Sequence, residues 1–153
     1  MKRKLVLVCG LVVAEIAFGQ QTRLKPVHFS FRAERIGDKT YMVHLTASID
    51  PGWHIYAHVQ PKSAISVPTN ITFTRSPLLI IVGAVAEKGT KETQTIKEAG
   101  IEQYMYTKTV DFVQVVKTKA AVKTTLTGII TYQVCSNEEC LPPATAPFSI
   151  SIP

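Results

Sequence analysis

A chain of 153 residues, 46% of them hydrophobic and 18% charged, is long enough for one domain with an ordinary apolar core. Its three cysteines are too few for a miniprotein built on disulfides. The net charge of +6 is spread along the chain, with no arginine-rich stripe and no aromatic RNA-binding motif, which argues against nucleic acid as a partner.

The first element is an export signal. Met1-Lys2-Arg3-Lys4 is a basic start, Leu5 to Phe18 is mostly apolar, and Ala17-Phe18-Gly19 has small residues where a signal peptidase cuts. The expected division is a signal peptide over residues 1–19 and a single domain over residues 20–153. An apolar stretch of this length is too short to span a bilayer, which takes roughly 20 residues. The mature chain is therefore expected to be exported and to carry no membrane span. Much of the positive charge leaves with Lys2, Arg3 and Lys4.

The remainder reads as strands. Candidates in chain order are Val27–Ile36, a run in which Tyr41, Val43, Leu45, Ala47 and Ile49 alternate with polar residues, and Trp53–Ala57. Asn70–Arg75, Leu78–Glu87 and Gln103–Val116 follow, with a short turn near Glu92–Ala99. The apolar run Pro77 to Ala86 reads as a buried strand. Val122, Thr124, Leu126, Gly128, Ile130, Tyr132 and Val134 alternate towards Cys135, and Phe148, Ile150 and Ile152 form a last strand. Gly37-Asp38, Asp50-Pro51-Gly52, Ser76-Pro77 and Pro142-Pro143 mark turns. Seven or eight short strands at this spacing predict an all-β, immunoglobulin-like antiparallel β-sandwich.

Chemistry is concentrated in Tyr132-Gln133-Val134-Cys135-Ser136-Asn137-Glu138-Glu139-Cys140-Leu141-Pro142-Pro143. Cys135 and Cys140 are the only cysteines left after removal of the signal, so one intramolecular disulfide is possible. Spacing alone leaves three uses open: a structural staple, a redox pair, or a metal site. Exchange needs a thiolate, a second sulfur in reach and access for a partner. Glu138 and Glu139 put negative charge beside the sulfurs, which disfavours a thiolate and fits a reductant better than a strong oxidant. His54 and His58 are four apart, about 13 Å along a strand, too far to share one ion. His28 and His44 fall in strands and read as surface or core residues. Neither a metal nor a cofactor is expected.

The cysteine segment resembles the active-site hairpin of the N-terminal periplasmic domain of DsbD, the thiol:disulfide interchange reductase. Asp50-Pro51-Gly52-Trp53-His54-Ile55-Tyr56 is similar to that family's glycine–aromatic strand, and Val67-Pro68-Thr69-Asn70-Ile71-Thr72-Phe73 to its proline-led strand. The likeness runs through the whole mature chain in the same order. It implies a pair that cycles between disulfide and dithiol. Electrons would come from a thioredoxin-like reductase domain or a membrane electron carrier and pass to exported disulfide-containing proteins. Cys140 matches the cysteine that forms the mixed disulfide, and Cys135 the resolving one. Tyr56 matches an aromatic beside the site, and His54 stands where some members carry tyrosine. Well-known members have one more residue between the cysteines and cover the site with an acidic–aromatic cap loop. The corresponding stretch here, Lys97 to Glu102, keeps Glu98 but lacks the aromatic. Because the chain ends at Pro153, a separate protein is expected to supply the electrons. The competing reading is a non-enzymatic immunoglobulin-like binding or assembly module with a structural disulfide. The expected site is therefore Cys135 and Cys140, lined by His54, Tyr56, Glu98, Glu138 and Glu139.

Overall fold

The computed structural model describes residues 24–153, so the expected export segment lies outside the described residues. In chain order the strands are β1 (Val27–Gly37), β2 (Thr40–Ile49), β3 (His54–Tyr56), β4 (Asn70–Phe73), β5 (Leu79–Gly89) and β6 (Glu92–Ile96). They continue as β7 (Ile101–Tyr106), β8 (Thr109–Thr118), β9 (Thr124–Tyr132), β10 (Val134–Cys135) and β11 (Ala144–Ile152). A 3₁₀ turn over Lys97–Ala99 joins β6 to β7. No helix among the described residues is long and apolar enough to cross a membrane.

Every strand pairing is antiparallel, in three ladders ordered β1-β2-β8-β5, β10-β3-β7-β6 and β11-β9-β4. The architecture is the expected all-β immunoglobulin-like sandwich. Period-two alternation builds it. Tyr41, Val43, Leu45, Ala47 and Ile49 turn inward from β2, Val110, Phe112 and Val116 from β8, and Leu126, Ile130, Phe148, Ile150 and Ile152 from β9 and β11. Aromatic rings join the layers: Phe29 meets Tyr132 edge-on with centroids 5.1 Å apart, and Phe31 and Phe73 each lie 5.7 Å from Phe148. The Tyr41 hydroxyl donates to the carbonyl of Pro153 at 2.6 Å, tying the chain end to the first sheet.

Four expectations need correction. Eleven strands form where seven or eight were counted. The run expected as one strand over Gln103–Val116 breaks at Thr107-Lys108 into β7 and β8, which belong to different ladders. The stretch Glu92–Ala99 is a strand before it is a turn, because β6 finds a partner in β7. The apolar run after Pro77 is a strand but not a buried one: Ile80, Ile81 and Val82 are 45%, 38% and 37% exposed. β5 is an edge strand, paired with β8 alone and bulged between Val82 and Ala86, so nothing covers its outer side among the described residues.

Two local features aim the chain at the cysteine region. Asp50-Pro51-Gly52-Trp53 is a tight turn, closed by the Trp53 amide donating to the Asp50 carbonyl at 3.2 Å. Gly52 takes φ 85°, which suits glycine at the third position of a turn with proline at the second. Beyond β3, the buried Thr69 hydroxyl donates to the Tyr56 carbonyl at 2.6 Å. The Gln60 amide accepts from the Tyr104 N–H and donates to the Tyr104 carbonyl, standing in for a strand partner.

Candidate functional site: a cysteine hairpin against the third strand

Cys135 and Cys140 form a disulfide, with Cα atoms 4.0 Å apart. The backbone makes this the natural pairing. Leu141 N–H donates to the Val134 carbonyl at 2.9 Å and Ser136 N–H to the Glu139 carbonyl at 2.7 Å. The two cysteines face each other between those bonds, as a non-hydrogen-bonded antiparallel pair, where side chains approach most closely. The Ser136 hydroxyl oxygen accepts from the amides of Glu138 and Glu139, both at 3.1 Å, and so holds the tip. Pro142 and Pro143 then offer no N–H, and the ladder stops.

The two sulfur-bearing residues are not equivalent. Cys135 is 1% exposed, whereas Cys140 is exposed at the surface of the hairpin. A thiolate arriving from solvent can reach Cys140 and would expel Cys135. Glu138 and Glu139 are exposed at the tip, beside the accessible cysteine.

Cys135 pairs with His54 across β10 and β3, and Val134 pairs with Ile55. Ile55 and Val134 point into the core, at 0% and 3% exposure, so Cys135, His54 and Tyr56 share the opposite face of this ladder. His54 and Tyr56 are buried all the same, with their rings edge-on at 5.3 Å. Nε2 of His54 is buried without a hydrogen-bond partner. Leaving such an atom unpaired costs about 1–3 kcal/mol. Burial lowers the His54 pKa, and the nearby Glu92 carboxylate partly opposes this. Burial also raises the Tyr56 phenol.

The hairpin therefore brings together Cys135, Cys140, Glu138 and Glu139, and the third strand adds His54 and Tyr56. Glu98 stands apart from them. It lies exposed on the 3₁₀ turn beyond Ile96 and Ile101, whereas Tyr56 pairs with Met105. Measured along β7 the turn is about 13 Å past the Tyr56 register, on the side away from His54. Among the described residues Glu98 makes no ion pair or side-chain hydrogen bond with the hairpin. Sequence reasoning missed Glu92 and Thr107. Glu92 pairs with Met105, and its carboxylate accepts from the Thr107 hydroxyl, at the end of β7 that the pairing carries alongside His54. No local pattern announces Glu92, since its place depends on β6, β7 and β3 pairing in that order. Outside this region, His44 is a buried residue whose Nδ1 lies 2.6 Å from the Asp111 carboxylate.

Comparisons with known proteins identify the family. The family model described as thiol:disulfide interchange protein DsbD, N-terminal, matches residues 20–151. The fold is similar to a solved complex between the DsbD N-terminal and PilB N-terminal domains from Neisseria meningitidis, with TM-score 0.50 and 18% identity over 82% of this chain and 85% of that one. The reduced DsbD N-terminal domain of Neisseria meningitidis gives 0.48 and 20% identity, covering 80% of this chain and 84% of that chain. The N-terminal periplasmic domain of ScsB from Proteus mirabilis gives 0.49 and 21%, covering 82% of this chain and 44% of that chain. No curated protein matches the chain. Matched from residue 20 to residue 151, the chain belongs to the DsbD N-terminal family of thiol:disulfide interchange proteins.

Proposed function

We propose that this domain works in the periplasm as a reductase relay, cycling Cys135 and Cys140 between disulfide and dithiol. A thiolate of a thioredoxin-like donor attacks the Cys140 sulfur, the Cys135–Cys140 bond breaks, and Cys135 leaves with the electron pair and takes up a proton. The donor's second thiol then displaces Cys140, and the donor departs as a disulfide. In the second half-cycle the Cys140 thiolate attacks a disulfide of an exported protein, and Cys135 closes back on Cys140 to release that protein reduced. The observation that carries this reading is the contrast between exposed Cys140 and buried Cys135. A relative solved in complex with the PilB N-terminal domain supports a protein domain as the partner. Tyr56 and His54 line the site, and the acidic tip weakens thiolates there, which favours giving electrons away. The test is incubation of oxidised protein with a reduced thioredoxin-like donor, without denaturant. The expected result is two newly freed thiols per chain, those of Cys135 and Cys140. Thiols that appear only after denaturation would overturn the relay.

A second expectation separates this role from a staple. The sandwich core is drawn from every ladder, while the disulfide closes a loop of only a few residues. Chain entropy gives such a loop about 2 kcal/mol, against roughly 5–15 kcal/mol for a typical domain. The Cys135→Ser/Cys140→Ser protein should therefore melt cooperatively at a lower temperature while losing all exchange. Circular dichroism beside an exchange assay checks both halves. A double variant unfolded at room temperature would make the disulfide structural.

A further inference from the structure

His54 is the polar side chain that the oxidised site leaves unsatisfied. It faces Cys135 directly across β10 and β3, where opposed side chains are about 5 Å apart at Cβ. Its Nε2 is enclosed and unbonded. A disulfide sulfur carries no proton and is a poor acceptor, so it offers that nitrogen little. A thiol in the same place has a proton to give.

We propose that His54 is the general base that deprotonates Cys135 when the pair re-forms its disulfide. This rests on the exchange cycle above. In the mixed disulfide, Cys140 is bonded to the target sulfur and Cys135 is a buried thiol. Neutral His54 takes the Cys135 proton, and the Cys135 thiolate attacks the Cys140 sulfur. The Cys135–Cys140 bond forms, the bond from Cys140 to the target breaks, and the target leaves as a thiolate with the electron pair. The imidazolium then returns its proton to solvent or to the departing thiolate.

The surroundings suit a base. Burial favours the uncharged imidazole, so at neutral pH His54 is ready to accept a proton. Glu92, held by the Thr107 hydroxyl, supplies a negative charge that stabilises the imidazolium once it forms. On β3 itself the neighbour is the Tyr56 phenol, which burial keeps protonated. The hairpin contributes the cysteine pair and the exposed Glu138 and Glu139, and the turn after β7 carries exposed Lys108. Cys135 gains most from such help, because a buried thiol has no water to take its proton.

The experiment uses protein reduced with a small dithiol, freed of it, and mixed with an aromatic disulfide that releases a coloured thiolate. The first release reports attack by Cys140, and the second reports closure by Cys135. In the wild type the second phase should slow as pH falls through the His54 pKa, below the ordinary histidine range. His54→Gln should slow that phase by about a hundredfold, the low end for a positioned base, remove the break in its pH profile, and leave the first phase unchanged. An unchanged second phase and pH profile in His54→Gln would overturn the role of His54 while leaving the cycle standing. A wild type with no second phase would overturn the cycle itself. Should His54→Gln fail to fold, proton NMR of the wild type decides. Reduction should shift the His54 pKa, and an unmoved His54 would overturn the assignment.

Discussion

Replacing Cys140 with serine is expected to abolish exchange entirely, whereas replacing Cys135 should arrest it halfway. The reason is the unequal burial of the pair. Cys140 is exposed, and its loss leaves Cys135 as the only cysteine among the described residues, 1% exposed and out of reach of a partner's sulfur. Cys140→Ser protein should therefore form no covalent adduct with a disulfide target or with the disulfide form of a thioredoxin-like donor. Cys135→Ser protein keeps the reactive thiol, which attacks either disulfide and frees one thiol of the partner, but it loses the group that resolves the mixed disulfide, so adducts should accumulate and persist until a small thiol is added. Non-reducing electrophoresis of the two variants side by side reads both outcomes. Equal adduct formation by both would mean that exposure does not set the order of reaction.

The largest effect on stability is expected at Gly128, far from the sulfurs. It lies in β9, paired with Phe73 on one side and Phe148 on the other. A Cβ there would lie 2.4 Å from the Phe148 ring and 2.4 Å from the Thr72 carbonyl oxygen. Phe148 is fixed by Phe31 and Phe73, and the carbonyl belongs to the neighbouring strand, so neither can yield cheaply. Gly128→Ala should cost about 3 kcal/mol, the upper part of the range for overpacked cores, and Gly128→Val should fail to fold. Gly37→Ala is the matched control. Its added Cβ meets nothing nearer than 3.7 Å, and its effect should stay within about 0.5 kcal/mol. Urea denaturation of both alanine variants measures the difference, and similar midpoints would refute the packing argument.

Much of the molecule was legible in the residues, and the illegible parts share a cause. Tyr41 to Ile49 alternates cleanly because one face of β2 is core, and all five expected residues are buried. The cysteine hairpin was legible because a strand leads into it and two prolines end it. The break between β7 and β8 was hidden because Tyr106 before the turn and Val110 and Phe112 after it keep the same phase, and only the exposed Lys108 between them interrupts it. The exposure of Ile80, Ile81 and Val82 was hidden because periodicity does not tell an edge strand from a central one. Glu98 corresponds to the acidic part of the cap loop in the family that the sequence resembles, whereas strand pairing puts its turn beyond Tyr56, away from the hairpin. Glu92, by contrast, reaches the vicinity of His54 through three successive strands, a relation with no trace in local sequence.

The order of attack in the proposed cycle rests on one contrast: a surface cysteine bonded to a buried one, with His54 paired across from the latter. The most direct test joins oxidised wild-type protein to a thioredoxin-like donor whose own resolving cysteine has been changed to serine. The donor can then attack but cannot finish, and the adduct is digested and mapped by mass spectrometry. A single crosslinked peptide containing Cys140 is expected, with Cys135 recovered as a free thiol. A crosslink through Cys135, or no adduct at all with folded protein, would contradict it.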